Sequence, residues 1–123
     1  AQIEQFDYLF GRYPADFLGL CIDTGHANLV GGNEFIKLLA TRYADRFFCQ
    51  HLNDNKGWGK EDGCGDAHRL PGECNVDWKE TMKLVRASAY EQPFVMEVSK
   101  PEGEDCAHYL KRAYEAGVWM ANL

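Results

Sequence analysis

Three short apolar runs alternate along the chain with longer stretches whose apolar residues recur at helical spacing. The runs are Phe17-Leu18-Gly19-Leu20-Cys21-Ile22, Phe47-Phe48-Cys49-Gln50-His51-Leu52 and Phe94-Val95-Met96-Glu97-Val98. Near-continuous apolar runs of this length predict strands covered on both faces. Between and around them, Ile3, Phe6 and Phe10 share one helical face, which predicts a helix from Ile3 to Tyr13. Asn33 is a candidate N-cap for a helix running to Tyr43, with Phe35, Leu38 and Leu39 on one side. Asp77 caps a third candidate, ending near Ala87, and Asp105 or a neighbour opens a last one through Tyr109, Leu110 and Ala113.

The predicted order is a helix followed by three strand–helix units. Such alternation implies a parallel sheet with right-handed crossovers. Parallel strands bring their C-terminal ends to one edge, and active sites of α/β sheets and barrels lie at that edge. The one long irregular stretch, Asn53 to Asn75, leaves the end of the second strand there. It contains Gly57, Gly59, Gly63, Gly65 and Gly72 together with Asp54, Asp66, His68 and Arg69, which points to a functional loop.

The polar residues then acquire a pattern. Asp23 follows the first apolar run and His26 comes just after it, His51 is near the end of the second run, and Glu97 is near the end of the third. Each segment thus delivers a metal-competent side chain to the same edge. Burying such groups without partners is costly, and a divalent cation removes the cost by binding them together. Mixed carboxylate and imidazole donors suit manganese, zinc, cobalt or iron, with magnesium also open, better than calcium.

Composition narrows the classes. The 123 residues suit one domain, 46% apolar and 26% charged, as in ordinary globular proteins. The formal charge of −6, with no basic cluster, argues against a nucleic-acid partner. No apolar run approaches the ~20 residues of a membrane span, and no signal-peptide pattern opens the chain. Five cysteines (Cys21, Cys49, Cys64, Cys74, Cys106) form no CxxC pair, which argues against a disulfide framework or a thiolate zinc knuckle. Reduced thiols of a cytoplasmic protein are the expectation. Trp58, on the long loop, is the tryptophan to test as a ligand contact; Trp78 and Trp119 read as packing residues.

Taken in order, these segments resemble a known family. Cys21-Ile22-Asp23-Thr24-Gly25-His26 is similar to the DTxH strand of the xylose isomerase-like barrels, and His51-Leu52-Asn53-Asp54-Asn55 to their HxxDN strand. Asp66-Ala67-His68-Arg69-Leu70-Pro71-Gly72-Glu73 resembles their DxHxxPGEG loop, continued by Val76-Asp77-Trp78, and Phe94-Val95-Met96-Glu97 resembles their last strand. The motifs keep the family's order from Phe17 to Val98. The resemblance implies an α/β fold, the C-terminal part (last three βα units) of a (β/α)8 TIM barrel, with residues 1–123 as a single partial domain. It implies a metal-dependent isomerase or epimerase of sugars or sugar phosphates, or an apurinic endonuclease of the endonuclease IV type; a non-catalytic half-barrel that keeps the metal-binding edge as a relic is the third reading.

By this resemblance Asp23, His51 and Glu97 are metal ligands, and Glu97 is also one of two catalytic carboxylates. His26 binds substrate or a second metal, Asp66 and His68 hold a further metal, and Arg69 binds substrate. Two departures stand out. Cys74 replaces the second glycine of the loop motif, which predicts strain if that backbone needs a positive φ. A full barrel takes roughly 250 residues, and the strand expected before Asp23, with its glutamate ligand, is absent. Either an N-terminal half exists elsewhere in a longer enzyme, or a separate product buries its sheet edges by oligomerising.

Overall fold

The computed structural model describes residues 2–123, with the backbone alone for Gln2. Four helices and two strands follow in order: α1 (Gln2–Arg12), β1 (Leu20–Asp23), α2 (Thr24–Arg42), β2 (Phe47–His51), α3 (Trp78–Ala87) and α4 (Cys106–Ala121). A short 3-10 turn, Ala44–Arg46, leads into β2. β1 and β2 pair in parallel, with Cys21 opposite Cys49, Ile22 opposite Gln50 and Asp23 opposite His51. The α/β class with a parallel sheet is as expected, and the fold is consistent with a piece of a TIM barrel.

Several finer expectations are corrected. The third apolar run lies parallel to the end of β2 but makes only one bridge, Leu52 to Met96. Two hydrogen bonds carry it: Leu52 N–H to Val95 O at 2.8 Å, and Glu97 N–H to Leu52 O at 3.2 Å. Pro93 and Pro101 bracket the run, and each lacks the N–H a longer ladder would use. Three regular βα units are therefore not formed. The first strand is also shorter than its apolar run. Phe17 and Leu18 both donate to Pro14 O in a turn, leaving Phe17 largely exposed.

The second helical region begins earlier than expected, at Thr24, and the expected stretch from Asn33 onward forms its second half, ending at Arg42. Asp23 caps it by accepting from His26 N–H, and the helix breaks at Gly31 and Gly32, the latter at φ 66°. Asn33 stands just past this break and spends its side chain elsewhere, donating to Asn75 O and accepting from Asp77 N–H. The Asp77 and Asp105 caps form as their positions predict, accepting from Glu80 N–H and His108 N–H.

Among the described residues, helices cover one face of the sheet and not the other. Leu20, Ile22, Phe47 and Leu52 join Ile36, Leu39, Trp78, Met82, Val85 and Met120 in the main core. Burying one such large apolar side chain stabilises the fold by ~1.5–3 kcal/mol. The opposite face carries Cys21, Asp23, Cys49 and His51, in keeping with the two-residue repeat of strand side chains. α1 is tied to α2 by Asp7, which accepts from Arg42 Nε and Tyr43 Oη. A smaller cluster of Leu70, Tyr109 and Ala113 fixes α4 beneath the long loop.

Candidate metal centre

The parallel register sets the first rung of the site. Asp23 and His51 are opposite each other at the C-terminal ends of β1 and β2, and Glu97 joins them from the adjoining segment. Donor atoms of the three lie within 4.8 Å of one another. His51 Nδ1 is 2.9 Å from Glu97 Oε2 and 3.8 Å from Asp23 Oδ2.

Asp23 is the most enclosed of the three. Its Oδ1 accepts from His26 N–H at 2.9 Å and from Asn53 Nδ2 at 3.1 Å. Its Oδ2 is buried and makes no hydrogen bond, although His26 Nδ1 is 3.2 Å away. A buried carboxylate oxygen without a hydrogen bond is costly. Together with an imidazole and a second carboxylate around the same point, it fits a divalent cation of the manganese, zinc or cobalt class.

Beside this group stands a second one, built from His26, Asp66 and His68. Asp66 Oδ1 is 3.1 Å from His26 Nε2 and 3.0 Å from His68 Nε2. Asp66 thus bridges the two imidazoles, and His26 in turn reaches Asp23, so the groups form one continuous edge. His68 alone among the described non-glycine residues has a positive φ, 46°. Its Nδ1 lies 2.7 Å from Glu97 O. Burial works against charging His68, but the Glu97 carbonyl and the carboxylates of Asp66, Asp23 and Glu97 outweigh it and hold its pKa above the ordinary value. The strain expected at Cys74 therefore falls at His68 instead, where an unfavourable backbone conformation aims a side chain into the site.

Three consecutive polar residues after β2 hold this edge together. Asn53, Asp54 and Asn55 are all fully buried. Asn53 exchanges backbone hydrogen bonds with Thr24 Oγ1 at 2.7 and 3.0 Å while its side chain steadies Asp23. Asn55 donates to Gly25 O and accepts from Asn28 Nδ2. A Cβ on Gly25 would overlap the Asn53 and Asn55 side chains, so only glycine allows this approach. Asp54 accepts from the backbone N–H of Gly72, Cys74 and Val76 and from Trp78 Nε1, and so gathers the far end of the long loop. The HxxDN motif contains these three residues and the long loop counts Asp54 among its polar side chains, but neither signal assigns them the supporting role they have here. The available signal was an Asn-Asp-Asn run continuing directly from an apolar strand.

Arg69 is not in either group. It pairs with Asp62 and lines a separate hollow with Lys56, Glu73, Cys74 and Arg112. Trp58 is exposed on the loop and Trp78 is buried. All five cysteines are free thiols. Burial, reinforced by the neighbouring Cys49 thiol, pushes the Cys21 pKa up to about 12. No helix among the described residues is long and apolar enough to cross a membrane.

Comparison with known proteins gives this edge its context. The model of the xylose isomerase-like TIM barrel matches residues 1–121. The chain belongs to the xylose isomerase-like TIM barrel family. The family includes sugar isomerases and epimerases as well as endonuclease IV, is mostly enzymatic, and often binds divalent metals. Uncharacterized protein y4fM of Sinorhizobium fredii (strain NBRC 101917 / NGR234) is 36% identical over 89 residues, which are 72% of this chain and 26% of that protein. The chain thus spans about a quarter of the length of the curated relative it matches. No solved structure matches it significantly. In a xylose isomerase-like barrel the C-terminal strand edge is where sites are built, and Asp23, His51 and Glu97 occupy that edge here.

Proposed function

We propose that these residues form part of the active site of a divalent-metal-dependent sugar or sugar phosphate isomerase or epimerase. The supporting observation is the meeting of Asp23, His51 and Glu97 around one point, with a buried Asp23 oxygen that makes no hydrogen bond. Asp23, His51 and Glu97 would hold the cation. When bound, a divalent cation supplies Lewis-acid polarisation of a substrate carbonyl. Glu97 moves a proton at the carbon next to that carbonyl, paired with a second carboxylate supplied from outside these residues. His26, exposed beside Asp23, contacts a substrate oxygen, and Arg69 binds a more distant substrate group.

The full-length protein, incubated with a panel of ketoses and their phosphates in deuterated water, tests this directly. The expected result is metal-dependent deuterium incorporation next to the carbonyl, lost in Glu97→Gln. The isolated 123-residue chain should show no turnover. Absence of exchange with every sugar by the metal-loaded full-length protein would overturn the reading.

The His26/Asp66/His68 group favours one alternative, an endonuclease IV-like phosphodiesterase acting on abasic DNA. Nicking of abasic DNA by the full-length protein, with several bound metals per chain, would establish that activity instead. The charge of −6 weighs against it.

A further inference from the structure

On the open face of the sheet, one repeat below Asp23 and His51, two thiols stand opposite each other. Cys21 of β1 pairs with Cys49 of β2 in the parallel register. Continuing the register from Leu20 opposite Phe47 would place Phe48 opposite Cys21. An irregularity between Leu20 and Cys21 moves Cys49 there instead. Bulges of this kind re-aim side chains, commonly next to active sites. The result is a rung of two sulfurs directly beneath a rung of one carboxylate and one imidazole, separated by about 6.6 Å of strand. Sulfurs of Cys21 and Cys49 and a ring nitrogen of His51 lie within 4.8 Å of one another. Both cysteines are exposed and in no disulfide.

We propose that Cys21, Cys49 and His51 form a second cation site, selective for thiophilic divalent ions such as Zn2+, on the floor beneath the Asp23/His51/Glu97 centre. Two sulfurs and an imidazole are soft donors, whereas the centre above is rich in hard carboxylate oxygen, so the two rungs sort cations by chemistry. Three protein ligands also leave a fourth tetrahedral position open toward the uncovered face. Binding replaces two S–H bonds by two sulfur–metal bonds and releases two protons to the solvent. Asp23 and Glu97, close above, add negative charge that favours a cation. The site stands on these three residues and does not depend on the isomerase reading.

Cobalt titration of the reduced 123-residue chain tests the proposal, with Co2+ as the probe. A thiolate-to-cobalt charge-transfer band should appear in the near ultraviolet. It should be lost in Cys21→Ser and in Cys49→Ser and retained when Cys64, Cys74 and Cys106 are all replaced by Ser. No band, or a band undiminished in the Cys21→Ser/Cys49→Ser double variant, would overturn it. A measurement on the unaltered chain avoids any folding defect. Zn2+ should protect Cys21 and Cys49 from iodoacetamide, read by peptide mass mapping, and equal alkylation with and without Zn2+ would contradict the site.

Discussion

The side-chain amide of Asn53 donates to Oδ1 of Asp23 across 3.1 Å, and through this bond a residue after β2 fixes the carboxylate at the end of β1. The same oxygen takes one of the free N–H groups in the first turn of α2, that of His26. Oδ1 is thereby fully used, and Oδ2 is turned toward His26 and His51. Outer partners of this kind orient a ligand that they do not replace.

Asn53→Ala should therefore weaken divalent metal binding without removing it. Loss of such an outer-shell partner typically lowers affinity about 10- to 100-fold. Isothermal titration of the variant with Mn2+ checks this. Unchanged affinity would mean that Asp23 needs no such support.

Asp54 has a purely structural task. It is fully buried and receives four hydrogen bonds from Gly72, Cys74, Val76 and Trp78, all from the far end of the long loop and the start of α3. Asp54→Ala leaves those donors without an acceptor, and each hydrogen bond to a charged group contributes roughly 1.5–3 kcal/mol. The expected loss is on the order of 3 kcal/mol or more, read by urea denaturation, with a change in Trp78 fluorescence in the folded state.

Much of this architecture was legible beforehand because its signals are local. Asp77 and Asp105 begin helices as side-chain caps do, and the Phe47–His51 run became a strand with its predicted polar end. Asp23, His51 and Glu97 were legible as an edge since parallel strands share a direction. What failed depended on distant partners. A helical stretch does begin at Asn33, but its side chain is drawn to Asn75 and Asp77 instead of capping, and an earlier stretch capped by Asp23 precedes it. Phe94–Val98 has strand-like apolar character, yet its bracketing prolines leave it a single bridge. The thiol rung was invisible because it rests on a one-residue register shift, which no pattern within either strand records.

The junction of α1 with α2 should show an acid sensitivity of defined sign. Hydrogen bonds from Arg42, and then from Tyr43, hold the Asp7 carboxyl below its ordinary pKa. Because the folded value is depressed, the stabilisation is present above the unfolded value of about 3.9 and is lost as pH falls through the folded one. Denaturant unfolding of the wild-type chain followed from pH 7 downward should lose stability in that acid window. Asp7→Asn should remove this component. An Asp7→Asn variant with the wild-type acid profile would contradict the assignment.

The most direct measurement is Mn2+ binding by the 123-residue chain, followed by loss of the free-ion electron paramagnetic resonance signal. Mn2+ prefers oxygen and imidazole donors, so it reports on Asp23, His51 and Glu97 rather than on the thiols below them. The wild-type chain should take up Mn2+, and Asp23→Asn, His51→Ala and Glu97→Gln should each weaken or abolish that uptake while circular dichroism remains that of the folded chain. No Mn2+ uptake by the wild-type chain, or equal uptake by all three variants, would contradict a metal centre at this edge.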